Sequence, residues 1–339
     1  MPETVNILMT CIGRRVSLLN SFRRAMAELG VRGHIYGSDW SGMAPAFYEA
    51  DEGFIVPGVN APHYVDALLE ICRRKKIGLV IPLVDPELMA LAKARDRFAA
   101  EGVCAVVSSP RVIEICRDKE KTCRFLRTAG IGSPKVFSFR EAMKGPFPLI
   151  AKARAGSSTK NVRQLHSATA LDHLHRSKVD YVLQEYVDGR EFTVDIYAGL
   201  DGVPRVAVPR ERLQVRAGEM IRGRTVRHEM IIREAMRLVE ALAECRGVIT
   251  AQCRLTAGGD PKFFDVNPRF GGGVPLAIRA GADFPRWIIE EHLGRKPDID
   301  PDAWEEGLIM MRYDAEVFRK SDELQTTQVV KEAEEEDDG

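Results

Sequence analysis

Phe263-Phe264-Asp265-Val266-Asn267-Pro268-Arg269-Phe270-Gly271-Gly272-Gly273 is the stretch on which the reading of this chain turns. Its segment Phe264-Asp265-Val266-Asn267 alternates apolar with polar, as does the upstream run Val248-Ile249-Thr250-Ala251-Gln252-Cys253-Arg254-Leu255, the period-2 pattern of half-buried strands. Between them lies Ala257-Gly258-Gly259-Asp260, whose glycines supply the positive φ that tight hairpin turns require. A turn centred on Gly258-Gly259 puts Gln252 opposite Asp265 and Thr250 opposite Asn267. Gln252, Asp265 and Asn267 then share one face as oxygen donors, and Ala251, Cys253, Phe264 and Val266 form the reverse. Hard cations such as Mg²⁺ take oxygen ligands of this kind, usually a carboxylate or two with phosphate oxygens completing the shell; Mn²⁺ takes the same set. Arg269 continues the polar face, where it can hold a phosphoryl group. The plain alternative is an edge hairpin with one solvated face, common in antiparallel sheets.

Asp-x-Asn-Pro-Arg followed by three glycines is an unusual string. It resembles the C-terminal signature of the ATP-grasp superfamily and, within it, the synthetase halves of carbamoyl-phosphate synthase large subunits, where the form is Glu-x-Asn-Pro-Arg with a Gln on the neighbouring strand. Asp265 departs from that pattern. Its shorter arm keeps the charge but bridges two metals less well, which leaves the number of bound Mg²⁺ ions open. No internal repeat is present, so the resemblance covers one synthetase half, from about residue 5 to 312. It implies an α/β architecture, the ATP-grasp fold. A Rossmann-like parallel-sheet domain (1–112) precedes two α+β subdomains that clasp ATP, a small lid (113–186) and a catalytic subdomain (187–318), with an acidic disordered tail over 319–339.

The composition points the same way. The chain has 339 residues, enough for two or three domains, and its 49 basic and 49 acidic residues cancel. A neutral field gives no reason to expect nucleic acid or an anionic membrane as partner, and small-molecule chemistry is the better expectation. The seven cysteines are scattered, without Cys-x-x-Cys or zinc spacing, which suggests a reducing compartment. Met1-Pro2-Glu3-Thr4 lacks the basic start of a signal peptide and no apolar run reaches the ~18 residues of a membrane helix, so a cytoplasmic protein is expected. A homodimer is compatible with all of this.

Strand-like runs at Val5–Thr10, His34–Ser38, Gly53–Val56, Leu79–Leu83 and Val103–Val107 alternate with helical patterns at Ser17–Glu28 and Tyr64–Lys75, predicting a parallel sheet. Ligand groups in such a sheet sit at the carboxyl ends of strands, where Arg14, Arg15, Asp39, Asp85 and Glu87 fall; loop charges and helix caps are the alternative. Gly13-Arg14-Arg15 is not a dinucleotide fingerprint.

Lys152 ends the apolar run Phe147–Ala151 and precedes Ala155-Gly156-Ser157-Ser158, a loop of small residues whose backbone N–H groups can approach phosphate oxygens. A strand-end lysine often just reaches solvent. The ATP-grasp resemblance implies instead that Lys152, with Lys119 before it and Gly156, Ser157 and Ser158 after it, binds nucleotide phosphates. It also implies that Gln184-Glu185-Tyr186-Val187-Asp188-Gly189-Arg190-Glu191 is the adenine hinge, with the backbone of Glu185 and Val187 reading the base. Glu191 would take the ribose hydroxyls, with Asp188 as competitor because the spacing varies by a residue. In Pro209–Glu219 the same resemblance places Arg210 and Arg212 against the γ-phosphate and the acid being activated, a solvated loop being the alternative.

The function this implies is an ATP- and Mg²⁺-dependent ligase that phosphorylates a carboxylate and joins it to an amine, releasing ADP and phosphate. A synthetase acting on bicarbonate or carbamate is a second reading, and a non-catalytic nucleotide sensor or scaffold a third. No Ser/His/Asp or Cys/His nucleophile pattern is present.

Overall fold

The structure, a computed structural model, describes residues 3–154, 162–176 and 179–324. The chain divides into two compact units. The first gathers Met1–Val107, Pro285–Pro297 and the chain from Asp314 on. Its strands β1 (Asn6–Thr10), β2 (Ile35–Asp39), β3 (Glu52–Ile55), β4 (Ile77–Pro82) and β5 (Cys104–Ala105) form a wholly parallel sheet in the order β3-β2-β1-β4-β5. Central strands read as continuous apolar runs because helices cover both faces of such a sheet, and Ile7, Leu8, Leu79, Val80 and Ile81 are fully buried. Glu87, one of the expected strand-end charges, is fully buried at the start of the helix Asp85–Lys93. It accepts hydrogen bonds from the N–H groups of Leu83 (2.8 Å) and Val84 (3.0 Å) and from the Tyr64 hydroxyl (2.7 Å). Desolvation holds its carboxyl above the ordinary range even so.

The second unit, Ser108–Phe284 with Asp298–Tyr313, holds two antiparallel sheets. In the smaller, β6 (Val136–Phe137), β7 (Leu149–Ala153), β8 (Val162–Leu165) and β9 (Tyr181–Glu185) take the order β6-β9-β7-β8. Leu149, Ala151, Leu165 and Leu183 pack with Leu171 and Ala142 of two short helices. The strand period of two then turns Ile150 and Lys152 to the opposite face.

The larger sheet comprises β10 (Arg190–Ala198), β11 (Pro204–Arg216), β12 (Glu219–Thr225), β13 (Gly247–Leu255), β14 (Pro261–Asn267) and β15 (Ile309–Met311), in the order β14-β13-β10-β11-β12-β15. Phe192, Val194, Ile196, Ala251, Cys253, Phe263 and Val266 line one face and bury the apolar stripe of the helix Glu229–Leu242, namely Ile231, Ala235, Leu238, Val239 and Leu242. The alternate residues Glu191, Thr193 and Asp195 of β10 and Thr250, Gln252 and Arg254 of β13 therefore share the other face. The basic run Arg210–Arg216 is strand, folded back through the two-residue turn Ala217-Gly218, both at positive φ (50° and 82°).

The hairpin at the centre of the sequence reading has the expected register, Gln252 against Asp265 and Thr250 against Asn267. One feature differs: Cys253 pairs with Phe263, so Phe264 is an extra, bulged residue. Phe263 therefore fills the apolar face, fully buried, where the strict alternation had placed Phe264. The seven cysteines are free thiols, and among the described residues no helix is long and apolar enough to cross a membrane.

Candidate functional site

The hairpin oxygens come together as the pairing requires. Asn267 Nδ2 donates to Asp265 Oδ2 at 3.0 Å, which orients the amide and leaves Asp265 Oδ1 and the Asn267 side-chain oxygen for other partners. With Gln252 across the ladder, the donors are all oxygen and carry one formal charge. Among the described residues no group of three or more His, Cys, Asp and Glu side chains is arranged to hold a metal. This set fits a hard cation that brings further anionic oxygens with it, as a nucleotide-bound Mg²⁺ does.

The bulge turns Phe264 toward β7, and the Lys152 ammonium stands 4.0 Å from the centre of its ring. Lys152 is partly accessible but crowded by protein, and this loss of water pulls its pKa from 10.5 down to about 8; Asp265, Cys123 and Glu191 pull it back up and Lys119 pushes it further down. Lys119 opens the helix Lys119–Thr128, whose N-cap Asp118 accepts from the N–H groups of Glu120 (2.9 Å) and Lys121 (3.2 Å). The other oxygen of Asp118 takes Arg154 Nε and Nη2 at 3.0 and 2.9 Å, and Lys119 N–H donates to the Arg154 carbonyl. The end of β7 is thereby pinned to the helix start, so both lysines are set from one joint. Gly156, Ser157 and Ser158 lie outside the described residues.

At the expected hinge, Glu185 ends β9 and accepts from Lys262 Nζ (2.8 and 2.9 Å) and from the Lys135 N–H (3.0 Å). Burial alone would push its carboxyl up, but the Lys135 N–H and the Lys262 ammonium outweigh that and hold it below the ordinary range. Val187 is buried, Asp188 exposed. Glu191 stands between two guanidiniums: Arg254 Nη2 donates to Oε2 at 3.0 Å, and Arg212 Nε lies 3.0 Å from Oε1 without the alignment of a hydrogen bond. Arg254 also reaches the Val187 carbonyl at 3.4 Å, tying the hinge to the carboxylate.

Arg212 donates further to Thr193 Oγ1 (3.3 Å) and the Gly218 carbonyl (2.9 Å), on the polar face. Arg210 has a different place from the one expected. Its guanidinium is 1% exposed and forked onto the fully buried Asp195, Nε to Oδ2 at 2.6 Å and Nη2 to Oδ1 at 2.9 Å. Strand pairing is the reason: Thr193 and Asp195 of β10 lie beside Arg210 of β11, and a buried arginine takes the nearest carboxylate. Arg269 follows Asn267 in a tight turn, its N–H on the Asn267 carbonyl at 2.8 Å and Nη1 on the Phe270 carbonyl at 3.2 Å.

Comparison with known proteins bears on this arrangement. Residues 177–315 match the family model described as "ATP-grasp in the biosynthetic pathway with Ter operon", and residues 7–107 match "PylC-like, N-terminal domain". The chain is an ATP-grasp protein. It is 25% identical over 283 residues to phosphoribosylamine–glycine ligase of Halalkalibacterium halodurans, covering 72% of this chain and 64% of that one. To the carbamoyl phosphate synthase large chain of a Thermoanaerobacter species it is 23% identical over 299 residues, 80% of this chain and 27% of that one. The fold of this ATP-grasp chain is also that of the biotin carboxylase of Campylobacter jejuni in a β,γ-ATP complex, with a TM-score of 0.71 at 13% identity, covering 89% of this chain and 74% of that one.

Four residues of this face escaped the sequence reading: Phe264 as partner of Lys152, Arg254, Lys262 and Asp195. Thr250, placed there by register, had been given no contact. The polar alternation Glu191-x-Thr193-x-Asp195 was the signal available for Asp195. Arg254 and Lys262 carried no distinguishing pattern, since a charge on a hairpin is ordinarily solvated.

Proposed function

We propose that this chain is an ADP-forming ligase, which activates a carboxylate as an acyl phosphate and passes it to an amine. The observation that carries the reading is Lys152 seated over Phe264 beside Asp265, with Lys119 near enough to Lys152 to lower its pKa further, cationic groups and oxygen donors being what a polyphosphate with its metal needs. In this reading the lid (113–186) and the catalytic subdomain (187–318) clasp ATP. The base lies on the Glu185–Val187 backbone, the ribose hydroxyls on Glu191, and the phosphates against Lys119 and Lys152. Mg²⁺ held by Asp265 with Gln252 and Asn267 would offset phosphate charge. A carboxylate oxygen attacks the γ-phosphorus, the bond to ADP breaks, and Arg269 and Arg212 face the charge of the transferred group. The amine nitrogen then attacks the carbonyl carbon, phosphate leaves, and the nitrogen loses its proton to water or to the departing phosphate. The sequence carries no Ser/His/Asp or Cys/His nucleophile pattern, which favours activation of the acid itself.

The likeness to a glycine ligase supports a carboxylate and an amine as the small-molecule substrates. The likeness to carbamoyl phosphate synthase favours, as second reading, bicarbonate as the acid. A screen of ADP release across carboxylates, with and without amines and with bicarbonate varied, tests both. Hydroxylamine in place of the amine should give a hydroxamate with ADP. Release of AMP and pyrophosphate would refute the mechanism, and absence of turnover with intact ATP binding would leave the sensor reading.

A further inference from the structure

Arg210 is among the largest fully buried side chains of the protein, and its ion pair with Asp195 is unexplained by substrate contact. Nor is stability a sufficient reason, since apolar residues of similar volume usually replace a buried ion pair without loss. What surrounds the pair is informative. Thr250 Oγ1 lies 3.2 Å from Asp195 Oδ1 and 3.1 Å from the carbonyl of Arg269, with one proton to give. A Cβ on Gly271 would press on the Thr250 side chain at 2.9 Å, and one on Gly273 would collide with Arg210 Nη1. The segment after β14 therefore rests directly on this network at three points: a carbonyl and two glycines that leave no room for a side chain.

The geometry points to Asp195 as a positioning residue: through Arg210 on one side and Thr250 on the other, it sets the place of the segment Asn267–Gly273 and thereby of Arg269 at the phosphate end of the nucleotide. This rests on the nucleotide reading above. Asp195 touches no substrate; it holds the Arg210 fork flat beneath Gly273 and shares the single Thr250 proton with the Arg269 carbonyl in a three-centre hydrogen bond, which ties that carbonyl to the pair. Both contacts must persist while a phosphoryl group is held and released, which a charged, two-point pair resists better than apolar packing.

The test separates positioning from folding. Asp195→Leu combined with Arg210→Met removes the pair without leaving a buried charge alone, and Thr250→Val and Thr250→Ser bracket the hydroxyl. Affinities for ADP and for the β,γ-imido analogue of ATP are measured by calorimetry with Mg²⁺, alongside melting temperature and amide exchange of residues 267–273. The double variant and Thr250→Val should melt as wild type and bind ADP within about threefold, yet lose about tenfold or more of the preference for the ATP analogue and exchange faster at 267–273; Thr250→Ser should restore the preference. A double variant with wild-type preference and exchange would overturn the inference, as would a wild-type protein that binds the analogue no more tightly than ADP. A wild-type protein that binds neither nucleotide would instead overturn the proposed function.

Discussion

Lys152 Nζ stands 4.0 Å from the centre of the Phe264 ring because Phe264 is the bulged residue of β14. The bulge brings an aromatic face and the Asp265 carboxylate together beneath one ammonium, whose charge is balanced between lost water and a nearby anion. A group so placed answers to whatever anion arrives.

The first consequence is a pH dependence of ATP binding. Unliganded Lys152 has its pKa lowered to about 8, and bound phosphates favour the charged form, so the pKa rises on binding. Below that pH the lysine is already charged and affinity should be flat. Above it, binding must take up a proton, and affinity should fall by up to about tenfold per pH unit. Calorimetry at pH 9 in buffers of different ionisation enthalpy should show the uptake, and Lys152→Met should abolish it. A flat affinity from pH 7 to 9.5 would remove Lys152 from the phosphate site.

Lys152→Ala should weaken ATP and ADP binding at pH 7 by about 1–3 kcal/mol, the range of a charge-assisted hydrogen bond, and leave adenosine almost unaffected. Equal losses for adenosine and ATP would count against the assignment.

Asp265 supplies the one formal charge of the oxygen set, so Asp265→Asn should lower ADP release by about a hundredfold or more at saturating Mg²⁺ with the unliganded melting temperature unchanged. Asp265→Glu should be milder. Activity of the Asn variant within about threefold of wild type would show that no catalytic metal sits there.

Gly273→Ala tests the packing on Arg210 apart from any chemistry. The added methyl has to displace both Arg210 Nη1 and Met220 Cε, which belong to buried side chains. Overpacking of this kind costs about 1–3 kcal/mol, to be seen as a lowered denaturant midpoint with unchanged slope. A midpoint equal to wild type would mean that the loop yields freely.

The order of elements was legible because it rests on local pattern. Apolar runs separated by helical periodicity marked the parallel sheet, the helix Tyr64–Lys75 falls where the pattern put it, and the glycines after Leu255 set the hairpin register. Glu87 was readable as a polar residue at a strand end but not as a buried one, since Tyr64, 23 positions away, supplies its third hydrogen bond.

From the residues alone came the strand periods, the facing of Gln252 on Asp265 and of Thr250 on Asn267, and the oxygen set of Gln252, Asp265 and Asn267 on one face. Tertiary structure alone decided which of the adjacent Phe263 and Phe264 enters the core, because the two are chemically identical and only the cavity under the helix Glu229–Leu242 distinguishes them. It likewise decided that Arg210 turns to Asp195 and Arg212 to Glu191. Arginines two apart on a strand share a face and a pattern, and which carboxylate each meets depends on the register of a neighbouring strand and on how deeply each is buried.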